Sequence, residues 1–119
     1  MDYGPESLLQ GIDLLNAQNA APIGAGANSA QARAPQIISA NGLDVAFLGY
    51  VHVPVEARGN YFDTATWTAT ETTPGLAWAV PEEITEDVTA VKSQADLVVV
   101  MQHSGYEYVE PPSEEQAAA

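Results

Sequence analysis

The sequence contains no cysteine and very few basic residues. Without thiols, the chain can form neither disulfides nor thiolate metal sites. Only Arg33, Arg58 and Lys92 are positive, against 16 acidic residues, and the formal net charge is -13. Binding to nucleic acids or to anionic membranes requires a basic surface. We therefore expect no nucleic-acid partner and no membrane contact through this chain.

Long apolar runs are also missing, and no stretch is long enough to span a membrane. Residues 1–6 lack the basic start and apolar centre of a signal peptide, so we expect no targeting segment in these residues. Hydrophobic residues nevertheless make up 46% of the 119 residues. That content and length favour a single domain, 1–119, with a real core.

The most informative stretch is an apolar run followed by polar side chains. Leu97 to Met101 is uninterrupted and contains three consecutive valines, which predicts a strand buried on both faces. His103 ends the run, Gly105 permits a tight turn, and the next residues are Tyr106, Glu107 and Tyr108. Ligands of open α/β sheets bind at the carboxyl ends of strands. The alternative, that His103 only ends a strand, stays open at this point.

Three helices are predicted from their first turns. Pro5-Glu6 and Pro81-Glu82 each precede apolar residues at helical spacing, and the first of these helices runs from Pro5 to about Gln18. Ser113 and Gln116 fit a capping box, so a helix should begin there. The fold class is therefore α/β.

A β-hairpin is predicted about Asn41-Gly42. This dipeptide separates the runs 36–40 and 43–50, and Asn-Gly between apolar runs is a strong signal for a two-residue turn. A hairpin alone is marginal in water, so it should join a larger sheet that also contains the Leu97–Met101 strand. The helices at Pro5 and Pro81 should pack on that sheet.

The remaining segments carry weaker signals. Asn28 or Ser29 is predicted to cap a short helix. The weak apolar pattern of 64–73 allows a short strand there. The other expectations are an extended segment or short strand at 20–24, a flexible turn at 24–26 and a long loop over 51–81.

A set of motifs follows one order along nearly the whole chain. They are Asp2-Tyr3-Gly4-Pro5-Glu6-Ser7-Leu8-Leu9, Gly24-Ala25-Gly26, Ala34-Pro35, Val45-Ala46-Phe47-Leu48-Gly49-Tyr50, and His103-Ser104-Gly105-Tyr106-Glu107-Tyr108 with Pro112-Ser113 and Gln116. The ordered set resembles the CapA family, proteins of capsule and poly-γ-glutamate synthesis with a metallophosphatase-like fold. The resemblance implies a partial αββα sandwich with a mixed sheet that contains the Asn41-Gly42 hairpin.

The resemblance also implies a site for divalent metal ions, Mn, Zn or Mg, in a completed domain. His103 matches one metal-ligand position, although Ser104 replaces the family's Trp. The residues that the resemblance assigns to substrate binding are Asp2, Gly105, Glu107 and Tyr108. The implied partner is a polyanionic polymer or a phosphorylated substrate.

Structural alternatives remain open for several of these residues. Glu107 is either an orienting group for His103 or substrate, or a solvated loop carboxylate. Asp2 is expected to accept hydrogen bonds from loop N–H groups, with a functional role as the alternative. Tyr108 is, as a tyrosine, more often a packing residue than a catalytic one. His52 matches no family ligand, so we favour a structural or solvated role for it.

The family's early acidic motifs and its last His motif are absent from the sequence. We interpret the chain as an internal fragment of a CapA-like protein that acts outside the cytoplasm or at the membrane. The full-length family resembles metal-dependent phosphoesterases, whereas this chain alone should be inert because one imidazole cannot hold two cations. The alternative function is a non-catalytic binding or scaffold module of polymer assembly and export. We also expect self-association through an exposed edge or face of the sheet.

Overall fold

A computed structural model describes residues 3–53, 63–105, 111–112 and 114–118, and these residues form an α/β fold. The expected fold class is thereby confirmed. The helices are α1 (Gly4–Ala17), α2 (Ser29–Ala32), α3 (Pro81–Val91) and α4 (Glu114–Ala118), with a 3₁₀ helix at Thr64–Trp67. The strands are β1 (Ala25–Gly26), β2 (Gln36–Ala40), β3 (Leu43–His52), β4 (Gly75–Leu76) and β5 (Leu97–Ser104).

The larger sheet has three strands in the order β2-β3-β5. Strands β2 and β3 form the predicted antiparallel hairpin, and both turn residues have positive φ, 55° at Asn41 and 82° at Gly42. This is the combination that a type I′ turn requires. Strand β5 runs parallel to β3, and α3 lies in the connection between them. The prediction that the hairpin and the Leu97–Met101 strand share one sheet is confirmed.

One face of this sheet forms the core. Side chains alternate along a strand, and β3 buries Ala46, Leu48 and Tyr50 on the same side as α3. Helix α3 contributes Ile84 and Val91 to the same cluster. The apolar spacing that predicted this helix therefore marks the side that packs on the sheet.

The opposite face is apolar and largely open, so the prediction that β5 is buried on both faces is wrong for the described residues. The register places Ile38, Val45, Phe47, Leu97, Val99 and Met101 on this face. Leu97 is 56% exposed and Met101 is 55% exposed. An apolar run shows that a strand favours burial, but it does not show what covers each face. The expected exposed face of the sheet is confirmed.

Helix α1 is more exposed than its apolar pattern predicts. Leu8, Leu9 and Ile12 are half-buried, and no described residue of the helix is fully buried. Leu14 is 70% exposed. Instead of covering the three-stranded sheet, α1 lies beside the short strand β1.

The segments with weaker sequence signals agree with the predictions only in part. Asn28 does cap α2, because its side chain accepts a hydrogen bond from the Gln31 N–H. The predicted turn at 24–26 is instead strand β1, which pairs antiparallel with β4. Within 64–73, residues 64–67 form a 3₁₀ helix, and the described strand-like pairing is an isolated bridge between Thr68 and Leu76. Two-residue strands are too short to show alternation, so sequence patterns do not reveal them.

Strand β3 extends two residues beyond the predicted Tyr50, because β5 pairs with both residues and another segment bonds to Val51 on the other side. Val51 donates a hydrogen bond to the Ala77 carbonyl at 3.0 Å and accepts one from the Ala79 N–H at 2.9 Å. Trp78 thereby pairs in parallel with Val51 on the side where β2 has ended. This pairing orders part of the stretch that was expected to be a long loop.

The open face predicts concentration-dependent self-association. Its members carry no charge, so two copies can meet there without bringing their carboxylates together. We expect Leu97→Asp to shift the population towards monomer in sedimentation velocity over a concentration series. Leu14→Asp adds the same charge at an exposed leucine outside the sheet and serves as the control. Monomeric wild-type chain at all concentrations, or an equal effect of Leu14→Asp, would contradict this expectation.

Candidate functional site

The carboxyl ends of β3 and β5 meet at one edge of the sheet, where they border a cleft. The parallel register pairs Val51 with His103 and His52 with Ser104. The cleft has a volume of about 360 Å³. Its lining includes Ile23, Val51, Leu76, Met101 and His103. His103 therefore lies at the position where α/β sheets bind ligands.

A close approach between two backbone segments builds one wall of this cleft. A Cβ atom at Gly49 would lie 2.9 Å from Ile23 Cγ1 and 3.2 Å from the Gly24 nitrogen. Any side chain at position 49 would push the 23–24 segment away from β3. The Gly24 carbonyl also accepts a hydrogen bond from the Ala77 N–H at 2.9 Å. The cleft thus depends on a glycine that the sequence analysis included only as part of a motif.

The two histidines do not converge on one point. His52 and His103 differ by one register position on neighbouring strands, so the pleat directs their side chains to opposite faces. The His52 ring packs edge-on against Trp78, with centroids 5.4 Å apart and an interplanar angle of 63°. The His103 side chain is exposed at the cleft. His52 thus has the structural contact that the sequence analysis favoured.

Of the other predicted site residues, the structure describes only Gly105. It follows β5 with a φ of +112°, which fits the predicted tight turn. Asp2, Glu107 and Tyr108 lie outside the described residues. Their predicted substrate contacts stay predictions.

The described residues do not by themselves form a metal site. Among them, no group of three or more His, Asp or Glu side chains is placed to hold a metal ion. A divalent cation in a protein needs several oxygen or nitrogen ligands. Within the described part of the chain, His103 is the imidazole that faces the cleft.

A polar network that the sequence analysis missed adjoins the cleft through Tyr50. The Arg33 guanidinium binds Asp87 in a bidentate manner, with Nε–Oδ2 and Nη2–Oδ1 distances both 2.8 Å. Arg33 Nη1 also lies 3.1 Å from Glu83 Oε1. The Tyr50 hydroxyl donates to Asp87 Oδ2 at 2.8 Å. The network links α2, α3 and β3, and Tyr50 also borders the cleft.

The network also raises the pKa values of two of its members, Tyr50 and Arg33. Burial of Tyr50 raises the pKa of its phenol well above the ordinary value, and the hydrogen bond to Asp87 adds to this effect. The hydrogen bond to Asp87 likewise raises the pKa of Arg33. Because carboxylates surround this guanidinium, it is not free to bind an anionic ligand. The sequence contained one signal for this network. A rare cation in an acidic chain needs an acidic partner, and Glu83 and Asp87 lie one helical turn apart on the predicted helix.

Comparison with known proteins identifies the family. Residues 1–119 match the family model described as "Bacterial capsule synthesis protein PGA_cap". The chain belongs to this family. It is 31% identical over 117 residues to the PGA biosynthesis protein CapA of Bacillus subtilis (strain 168). The match covers 98% of this chain and 28% of that relative, so the chain spans about 28% of the relative's length. The predicted family resemblance is confirmed.

Loss of the Asp87 carboxylate should destabilise the fold. Asp87→Ala leaves the Arg33 guanidinium and the Tyr50 hydroxyl without their shared partner, and the Asp87 side chain is only 19% exposed. We expect a loss of about 2–3 kcal/mol of unfolding free energy, below the value for a fully buried pair because of the residual exposure. Urea unfolding of the wild-type and variant chains measures this difference in unfolding free energy.

Glu86→Ala is the matched control for this change. Its carboxylate also faces Arg33, at 3.6 Å, but its side chain is 74% exposed. We expect it to cost no more than about 1 kcal/mol. Equal losses for the two variants would contradict a special role for Asp87.

The raised pKa of Tyr50 predicts a loss of stability at alkaline pH. Above about pH 10, an unfolded tyrosine ionises, whereas the buried phenol stays protonated until the higher folded pKa is reached. The stability linked to Tyr50 is therefore fully present below pH 10 and lost as the pH rises further. We expect the slope of unfolding free energy against pH above 10 to be shallower in Tyr50→Phe. Identical slopes in the two proteins would show that Tyr50 does not contribute.

Proposed function

We propose that this chain contributes part of a metal-dependent phosphoesterase that serves the biosynthesis of capsule or poly-γ-glutamate polymer. The observation that carries the proposal is the position of His103 at the carboxyl ends of two parallel strands, beside a cleft, in a chain of the capsule synthesis family. The metallophosphatase-like arrangement implied by the family resemblance belongs to the same proposal. The mixed sheet with helix α3 on one face supports it.

In this proposal, His103 supplies one ligand to a divalent ion, Mn, Zn or Mg. Such an ion polarises phosphoryl oxygens when several ligands hold it. The described lining of the cleft contains this one imidazole and no carboxylate, so the described residues do not fit a complete centre on their own. The other ligands must therefore come from outside the described residues. We expect the 119-residue chain alone to be inactive.

The proposed substrate is a phosphorylated compound or a polyanionic polymer. Asp2, Gly105, Glu107 and Tyr108 are the residues proposed to contact it. Gly105 lies two residues after the histidine, directly after Ser104 at the end of β5, which suits a contact between its backbone and an oxygen-rich ligand. The proposed place of action is outside the cytoplasm or at the membrane. In the described part of the chain, no helix is long and apolar enough to cross a bilayer.

A non-catalytic binding or scaffold module of polymer assembly and export is the second candidate. Two observations favour it: Ser104 stands where the family has Trp, and an uncharged apolar face of the sheet lies open. Open apolar faces of this kind are typical of surfaces that bind other proteins. In this alternative, the cleft would bind a ligand without turning it over.

A chimera tests the proposal in a complete protein. The aligned region of the B. subtilis relative is replaced by this chain, and the chimera is expressed in a strain that lacks the relative. Divalent metal content, hydrolysis of a generic phosphodiester and PGA production are then measured. We expect His103→Ala to lower all three, because no other described group can replace the imidazole at that geometry.

His52→Ala is the matched control, since it removes the histidine that packs on Trp78 rather than facing the cleft. It should leave metal content unchanged. Unchanged metal content and hydrolysis in His103→Ala would contradict the proposal. Loss of metal with PGA production intact would favour the scaffold function. For the isolated chain, phosphodiester or phosphomonoester turnover with Mn, Zn or Mg that disappears in His103→Ala would contradict its expected inactivity.

A further inference from the structure

The end of β5 is held from outside the sheet by a glutamine of α4. Gln116 Nε2 donates a hydrogen bond to the Ser104 carbonyl at 2.8 Å, and the contact is partly buried. Ser104 is the last residue of β5 and pairs with His52 of β3. The residue after His103 is therefore held by β3 through strand pairing and by α4 through the Gln116 amide.

The same glutamine packs against the turn that follows. A Cβ atom at Gly105 would lie 2.7 Å from Gln116 Nε2, 2.9 Å from Oε1 and 3.0 Å from Cδ. The amide thus occupies the space that any other residue at 105 would need. The positive φ of +112° at Gly105 independently favours glycine there. Both the space and the backbone conformation therefore fit a turn that closes against Gln116.

In the described part of the chain, His103 itself has no direct support of this kind. Within residues 3–53, 63–105, 111–112 and 114–118, no hydrogen bond to its imidazole is present. The position of the ring at the cleft then depends on the backbone on either side of residue 103. Pairing with β3 covers eight register positions, from Leu97 to Ser104, and so ends one residue after His103. Beyond that pairing, the described support on the C-terminal side is the Gln116 contact.

We propose that Gln116 is a positioning residue, which holds the Ser104–Gly105 turn so that the His103 imidazole faces the cleft. Positioning groups behind a ligand matter because a small displacement of the ligand weakens binding. The role of His103 as a ligand rests on the function proposed above, whereas the effect of Gln116 on the His103 ring does not. The two are therefore tested in separate experiments.

The first experiment uses the 119-residue chain and follows the imidazole carbon and proton resonances of both histidines by NMR. Gln116→Ala and Gln116→Met, which keeps the length but removes the donor, should each shift the His103 resonances and the Gly105 amide resonance. The resonances of His52 should stay in place. Unchanged His103 resonances in Gln116→Ala would overturn the proposal.

Gln94→Ala is the matched control. Gln94 also donates its amide to a backbone carbonyl, that of Ala90, at 3.1 Å, but at the exposed end of α3. It should leave the His103 resonances in place. A shift of the His103 resonances in Gln94→Ala as large as in Gln116→Ala would overturn the proposal, because the effect would then follow any lost glutamine contact. Gly105→Ala, which places a methyl group against the Gln116 amide, should disturb the same resonances as Gln116→Ala.

The second experiment measures Mn²⁺ affinity in the chimera. We expect Gln116→Ala to weaken binding about tenfold, as losses behind a metal ligand commonly do, while its melting temperature stays near that of Gln94→Ala. Unchanged affinity in Gln116→Ala with clear loss in His103→Ala would overturn the positioning role alone. Unchanged affinity in His103→Ala would overturn the proposed function, and the NMR result would still decide whether Gln116 sets the ring position.

Discussion

The parallel pairing of β3 with β5 is the interaction on which the rest of the structure depends. It spans eight register positions, from Val45–Leu97 to His52–Ser104. Parallel strands need a crossover connection, and the crossover here contains α3, which covers the face that carries Leu48 and Tyr50. The same pairing brings two strand ends together beside the cleft. The core and the candidate site are thus two results of one set of backbone hydrogen bonds.

The polar network on the core side links this pairing to the rest of the domain. Asp87 accepts hydrogen bonds from both Arg33 and Tyr50, so α2 and β3 are both tied to α3 through one carboxylate. Arg33 is held among acidic groups. An acidic chain that uses a rare cation internally has little positive charge left to attract an anionic polymer. A substrate of that kind would need bound cations or backbone N–H groups as its contacts.

Sequence patterns predicted the features that depend on neighbouring residues. Asn41-Gly42 indicated the hairpin because few other dipeptides accept positive φ at both positions, and Pro81-Glu82 indicated α3 because that chemistry suits a helix start. Strands β1 and β4 were missed because two residues show no period. Burial of β5 on both faces was predicted wrongly. The hydrophobicity of a strand shows that it favours burial, but it does not show whether another segment covers each face. The partners of Arg33 were missed because 54 positions separate it from Asp87.

The strict alternation of side chains along β5 has a consequence for how this region can tolerate insertions and deletions. His103 faces the cleft and Gln102 pairs opposite Tyr50, on the side of the core. Removal or addition of one residue within β5 would exchange the two faces for every position beyond it. The imidazole would then move to the side of α3, and Gln102, which also lines the cleft, would move to the open face. Substitutions can adjust this strand one residue at a time, whereas a change in its length by one residue would move the histidine to the opposite face of the sheet.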